Sequence, residues 1–278
     1  MQDPREVTRA EAARLGAEAV AICARGEYRS PSGALVRIAD AIARARAATR
    51  SIPPNAPLDP APARAYHRTR FDVVRETTLA AARRLQGAGL APAALNFASA
   101  RSPGGGFQSG ARAQEESLCR ASALYTCLQG QPFYEHHERQ RDPLYSSWVI
   151  DAPQVPVFRD DDGRLLDEPW PCAFLTAAAP NVKALRERSP ARLAEVGPAY
   201  TERIERVLSI AAAAGYRGLV LGAWGCGAFG GDADDVAARF AAALRGPFRG
   251  AFEAVVFAIL DTSPEERFIG PFLRRFAG

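Results

Sequence analysis

Lysine is almost missing from this sequence: of 35 basic residues only Lys183 is not arginine. No lysine run exists to grip a nucleic acid or a charged membrane, and the arginines are scattered to a net charge of only +4, which excludes the basic patch of a specific nucleic-acid binder. Cysteine is sparse too. Cys23, Cys119, Cys127, Cys172 and Cys226 are odd in number and stand at no metal-ligand spacing, so neither a disulfide framework nor a zinc site is indicated, and a reducing compartment is expected. No apolar run approaches the ~18 residues that a membrane span needs. The opening stretch from Met1 to Cys23 mixes acids and bases into its apolar residues, unlike a secretory leader. These absences predict a cytoplasmic protein with no membrane partner, no metal and no cofactor.

What is present is ordinary for a folded enzyme: 278 residues, 47% hydrophobic and 24% charged, enough for one large core with an elaborated terminus. Apolar residues recur at helical spacing over 5–24 and 33–48, so the chain opens with two amphipathic helices. Ser51 to His67 holds prolines at 53, 54, 57, 60 and 62, a density that sustains neither regular element and reads as a linker or lid. Residues 1–67 are thus an N-terminal helical extension with a proline-rich segment, and 68–278 the core. In that core a helix is expected over 70–87, with Val73, Val74, Leu79, Ala82 and Leu85 as its buried face. Strands are expected at 94–99, 148–158, 172–180, 219–224 and 254–260, and helices at 112–129, 190–214 and 232–245. The alternation predicts an α/β fold with a mixed or parallel sheet covered on both faces.

The most informative segment runs from Asn96 through Phe97-Ala98-Ser99 and the triplet Gly104-Gly105-Gly106 to Gln114-Glu115-Glu116, from a strand end through a glycine loop into a helix. Without Cβ atoms the triplet's N–H groups can approach a ligand closely. A helix N-terminus favours anions and acidic side chains in its first turn. The plainer reading is a flexible turn followed by acids that complement the helix dipole. A second strand–turn–helix unit follows at Leu221-Gly222-Ala223-Trp224-Gly225-Cys226-Gly227-Ala228-Phe229-Gly230-Gly231-Asp232, where glycines free backbone amides to wrap a diphosphate.

A glycine triplet, seven residues from Phe107 to Ala113, then Gln-Glu-Glu resembles the signature of poly(ADP-ribose) glycohydrolases, and the wording of 94–116 is similar to their bacterial-type branch. The resemblance covers residues 90–275; residues 1–67 carry no motif of it. It implies a three-layer macrodomain-like fold that hydrolyses ribose–ribose O-glycosidic bonds of poly(ADP-ribose). It makes the polymer and ADP-ribosylated proteins the substrate partners and ADP-ribose the product, without a metal. It transfers the catalytic role to Glu116 and a ribose-holding role to Glu115. ADP-ribose contacts are expected from Asn96, Ala98, Ser99, Gly104, Gly105, Gly106 and Gln114, and from Gly225, Cys226, Gly227, Ala228 and Phe229, the last against the terminal ribose. Thr262 and Phe268 would stand at the adenine end. Consecutive helical residues point ~100° apart, so Glu115 and Glu116 cannot be the opposed carboxylates of an ordinary glycosidase, and one acid must perform both proton transfers.

Two alternatives come from other classes. One is a non-catalytic ADP-ribose reader, against which the two acids argue. The other is an NAD-dependent oxidoreductase, because Gly225, Gly227 and Gly230 spell G-x-G-x-x-G between a strand and a helix. There Asp261 falls farther along than the roughly 20 residues the dinucleotide fingerprint needs. His136 and His137 sit among charged residues with no partner ligands at metal spacing and read as a solvated loop.

Overall fold

In the computed structural model, which describes residues 7–58 and 66–277, the expected strands join one sheet. The elements in chain order are α1 (Arg9–Arg25), β1 (Glu27–Arg29), β2 (Leu35–Arg37), α2 (Ala39–Ala48), β3 (Arg50–Ile52), β4 (Arg70–Val74), α3 (Thr78–Gly87), β5 (Pro92–Phe97), α4 (Gln114–Ala121), α5 (Leu124–Leu128), α6 (Pro132–Gln140), β6 (Val149–Arg159), β7 (Leu165–Ala177), α7 (Val182–Arg188), α8 (Val196–Ala213), β8 (Gly218–Leu221), α9 (Ala233–Arg245), β9 (Ala254–Ala258) and α10 (Gly270–Phe276). The sheet order is β3-β6-β7-β5-β8-β9-β4. From β7 to β4 the neighbours run parallel, whereas β6 is antiparallel to both β7 and β3. A six-stranded, all-parallel dinucleotide fold has a different order, so the oxidoreductase reading of the second glycine loop fails on topology.

Alternate residues of the central strands enter two separate cores, as a strand's period of two requires when both faces are covered. Ala254, Val256 and Ala258 of β9 and Ala94 of β5 face a core with Ile22 of α1, Ile42 of α2, Leu85 of α3 and Phe133 of α6. Val255, Phe257, Ala93 and Leu95 face the other, with Ile204 of α8, Phe240 of α9 and Phe272 of α10. The result is the expected three-layer α/β architecture. Among the described residues no helix is long and apolar enough to cross a membrane.

Four local expectations change. Arg70–Val74 is a strand, not the first turns of a helix: Phe71, Val73 and Val74 pair in register beside β9, and helix begins only after Thr77, whose hydroxyl accepts from Ala80 N–H at 3.0 Å. β-branched residues at an open sheet edge outweigh a helical spacing that lasts only one turn. The 112–129 helix breaks at Ser122, which bridges to Val157 and returns its hydroxyl to Leu118 O. The N-terminal part of 190–214 is a 3-10 turn, Pro190–Glu195, ahead of α8. The start of the proline-rich stretch completes an edge strand, since Arg50, Ser51 and Ile52 pair with Asp151, Ile150 and Val149; residues 59–65 of that stretch lie outside the described residues. The hairpin of β1 and β2 was not expected.

Candidate active site

Parallel strands β7, β5, β8 and β9 end at the same rim, and the loops leaving them enclose a cleft of about 440 Å³. A ligand cleft outside the carboxyl ends of such strands follows from their shared direction. β5 delivers the first glycine loop to this rim and β8 the second.

Gln114 fixes how α4 meets β5. Its carbonyl accepts from Phe97 N–H at 2.9 Å, and its amide donates to Leu95 O at 2.7 Å and Thr78 Oγ1 at 3.1 Å. Two acids follow directly on that anchored turn. Glu115 is buried; Ser99 N–H donates to its Oε2 at 2.6 Å and Asn96 Nδ2 to its Oε1 at 3.3 Å. Asn96 is itself held by donating to Thr176 Oγ1 at 3.1 Å. Glu116 Oε1 accepts from Gly106 N–H at 3.0 Å, while its Oε2 is buried with no hydrogen-bond partner. Gly105 lies so close that a Cβ there would overlap Glu116 Oε1. The triplet therefore serves first to seat the loop backbone on the carboxylates.

Burial is the dominant influence on Glu115 and pushes its carboxyl up to about 8. Hydrogen bonds from Ser99, Asn96 and Gly104 oppose the shift, and the neighbouring Glu116 charge adds to it.

The second loop is closed on itself. Gly231 N–H donates to Gly225 O at 3.0 Å, Gly230 N–H to Gly227 O at 3.1 Å, and Tyr200 OH to Trp224 O at 3.3 Å. Gly225 has φ +77, and a Cβ there would stand 2.5 Å from Ala179 Cβ, so only glycine fits. Gly227 and Ala228 are exposed and Phe229 half-buried, all three lining the cleft. Asp232 then caps α9 by accepting from Asp234 and Asp235 N–H.

A family model for the microbial-type PARG catalytic domain, PARG standing for poly(ADP-ribose) glycohydrolase, matches residues 16–160. The chain belongs to that family. It is similar to the poly(ADP-ribose) glycohydrolase of Thermomonospora curvata at 49% identity over 96% of this chain and 100% of that one, with a TM-score of 0.90. The same enzyme bound to the inhibitor ADP-HPD matches at 48% identity, 96% and 100% coverage and a TM-score of 0.87. The glycohydrolase of Deinococcus radiodurans in complex with ADP-ribose matches at 44% identity over 86% of this chain and 98% of that one, with a TM-score of 0.80. No curated protein matches the chain.

In this glycohydrolase the cleft brings together Ser99, Gln114, Glu115 and Glu116 from the first unit, Gly225, Gly227, Ala228 and Phe229 from the second, and Phe268 from the segment after β9. Other expected contacts stand elsewhere. Asn96 is fully buried and directs its amide at Glu115, which makes it a support for the acid. Gln114 borders the cleft, yet its amide atoms are all engaged within the protein. Ala98, Gly104, Gly105 and Gly106 do not line the cleft, and Gly105 and Gly106 back the two carboxylates. Cys226 is buried with its thiol pushed up to about 12 by desolvation, so it offers no thiolate. Thr262 is exposed and outside the lining. His137 is buried on α6 rather than solvated, bonded to Phe133 O at 2.8 Å and Ser146 Oγ at 2.8 Å.

The glycohydrolase cleft also includes Glu76, Thr77 and Thr78 at the β4–α3 turn and Asp161 from the β6–β7 turn, none of them expected. Thr77 Oγ1 donates to Asp161 Oδ2 at 2.6 Å and so fastens the two turns together. The Thr77 helix cap was a readable signal; reading β4 as helix hid that a strand end lay beside it.

Proposed function

We propose that this chain hydrolyses the ribose–ribose O-glycosidic bonds of poly(ADP-ribose) and releases ADP-ribose, with Glu116 as general acid and then general base. The observation that carries the assignment is the asymmetry of the Glu116 carboxylate: Oε1 is anchored by Gly106 N–H, and Oε2 has no partner within the protein. An anchored acid with one uncommitted oxygen in a ligand cleft can protonate the departing ribose oxygen as the oxocarbenium-like centre forms, then take a proton from the attacking water. Glu115, fixed by Ser99 and Asn96, holds the adjoining ribose.

The exposed backbone of Gly227 and Ala228 suits the substrate diphosphate, and Phe229 forms an apolar wall beside it. That the Deinococcus relative holds ADP-ribose and the Thermomonospora relative ADP-HPD supports ADP-ribose as the ligand here. ADP-ribosylated proteins are then the polymer's carriers, and five free cysteines suit the reducing cytoplasm. Incubation with labelled poly(ADP-ribose) should release free ADP-ribose. Glu116→Gln should lose turnover by about 10²-fold or more while holding ADP-ribose within several-fold of wild-type affinity. Wild-type turnover in that variant would remove Glu116 from the mechanism.

A further inference from the structure

Phe229 is half-buried against the core that holds α8, α9 and α10, with exposed Gly227 and Ala228 before it and exposed Gly230 after it. Its carbonyl accepts from Lys183 N–H at 2.9 Å, which fixes backbone but not ring. Among the described residues its one aromatic neighbour is Tyr145, with centroids 6.0 Å apart at 47°.

Tyr145 is held in an unusual place. Its φ of +59 is one that a bulky residue keeps only when its surroundings impose it. They do so from several directions. Asp142 accepts from Leu144 N–H through its side chain at 2.9 Å and from Tyr145 N–H through its carbonyl at 3.1 Å. Asn181 N–H donates to Pro143 O at 2.8 Å, and the buried Arg203 donates to Leu144 O. The ring also packs against His137, edge-on at 5.6 Å and 82°. Its Nδ1 bonds Phe133 O and its Nε2 accepts from Ser146 N–H at 3.2 Å, so the imidazole is fixed as one neutral tautomer. Arg141, Gln154 and Glu266 also keep a positive φ, but all three are exposed, whereas Tyr145 is half-buried. Tyrosine there delivers a ring.

We infer that Tyr145 is a positioning residue for Phe229: its ring, packed against His137, braces the aromatic wall of the cleft and so sets the hold on the ADP-ribose unit. The brace acts through ring packing, so the phenolic oxygen is dispensable. The inference rests on the ADP-ribose reading of the cleft, and the loop's own motion supplies a readout that does not.

Tyr145→Gly suits the backbone and removes the ring; Tyr145→Phe keeps the ring. The glycine variant should weaken ADP-ribose binding and raise KM for poly(ADP-ribose) by about fivefold, the range of one aromatic contact, with kcat within about twofold of wild type. Amide hydrogen exchange across Trp224–Gly231 should quicken in it, and Tyr145→Phe should restore affinity, KM and exchange. Should Tyr145→Gly fail to fold, Tyr145→Asn, also tolerant of left-handed backbone, carries the same comparison. Unchanged affinity and unchanged exchange in the folded ring-deleted variant would overturn the inference, as would a phenylalanine variant as impaired as glycine. Faster exchange in a protein whose wild type released no ADP-ribose would uphold the brace and reject the glycohydrolase reading instead.

Discussion

Gly105 and Glu116 are in direct apposition: a side chain on that glycine would overlap Glu116 Oε1 and come within 3.2 Å of Glu115 Oε2. The backbone there has φ +59, on the left-handed side. The third glycine then donates the N–H that holds Glu116. Triplet and acid pair are therefore one unit, with the loop shaped around the carboxylates it orients.

Gly105→Ala should consequently act on catalysis more than on folding. The methyl must displace Glu116 or lift the loop, and misplacement of a reacting group by about 1 Å costs roughly 10²-fold in rate. We expect kcat on poly(ADP-ribose) to fall by about that factor, with a melting temperature lower by a few degrees from the strained φ. Single-turnover kinetics beside a thermal melt checks this, and near-normal turnover in the folded variant would separate the triplet from the positioning of Glu116.

The second loop allows a cleaner test of ligand contact. A Cβ on Gly227 meets nothing within 4 Å, and the residue is exposed at the cleft. Gly227→Val should leave the melting temperature nearly unchanged and weaken ADP-ribose binding by about tenfold or more, because the side chain would occupy the space a diphosphate needs against the backbone. Calorimetric titration with ADP-ribose decides it: wild-type affinity would make this loop a turn and nothing more.

The legible parts were those where chemistry and local pattern coincide. Gln114-Glu115-Glu116 are contiguous, and Gly225, Gly227, Ala228 and Phe229 fall within five residues, so their approach to one cleft needed only the strand-to-helix units around them. Buried strands such as 254–258, apolar on both faces, were equally clear. What escaped depends on distant partners. Arg70–Val74 takes its conformation from β9, nearly two hundred residues away. Asp161 lines the cleft from the distant β6–β7 turn, where Thr77 Oγ1 donates to its carboxylate. Asn96 is the subtler case: from its place at a strand end it reads as a ligand contact, but the pleat turns it inward to Thr176 and Glu115.

The N-terminal residues set a further expectation. α1 packs beside the first glycine loop closely enough that a Cβ on Gly16 would lie 2.6 Å from Phe107 O, and Arg9 Nε donates to Ser109 O at 3.0 Å. Ala19, Ile22, Tyr28, Ile42 and Ala45 are buried in the core shared with β5 and β9. We propose that the described residues ahead of Tyr66, 7–58, are part of that core rather than a detachable cap. A truncation beginning at Tyr66 should be insoluble, through loss of β3 from the sheet edge and of two helices from one face. A soluble, active truncation that released longer oligomers would instead make the segment a cap governing terminal against internal cleavage.

Glu115 makes the final prediction, and its sign is opposite to that of most carboxylates. Its carboxyl is raised from 4.5 to about 8, chiefly by burial, so between those values the folded protein binds more protons than the unfolded chain. Stability then falls as pH rises through that window, by at most about 1.4 kcal/mol per pH unit for one group. His137 works against it below 6.5, because burial lowers its imidazole to about 4 and stability contributed there rises with pH. Asp261 changes its contribution only at acid pH: burial raises its carboxyl, but hydrogen bonds from Ser263, Ile269 and Phe268 outweigh that and hold it at about 2. Asp161, raised by burial from 3.8, shares the sign of Glu115 without sharing its substitution. From pH 6.5 to 8 the slope should therefore be negative in wild type and markedly flatter in Glu115→Gln, which should be the more stable protein at pH 8 while losing activity, since the amide removes a buried charge from beside Glu116. Urea midpoints measured across that range read the difference directly. Parallel slopes in the two proteins would mean that Glu115 is already ionised in the folded state at neutral pH, with the Ser99 and Asn96 hydrogen bonds outweighing its burial.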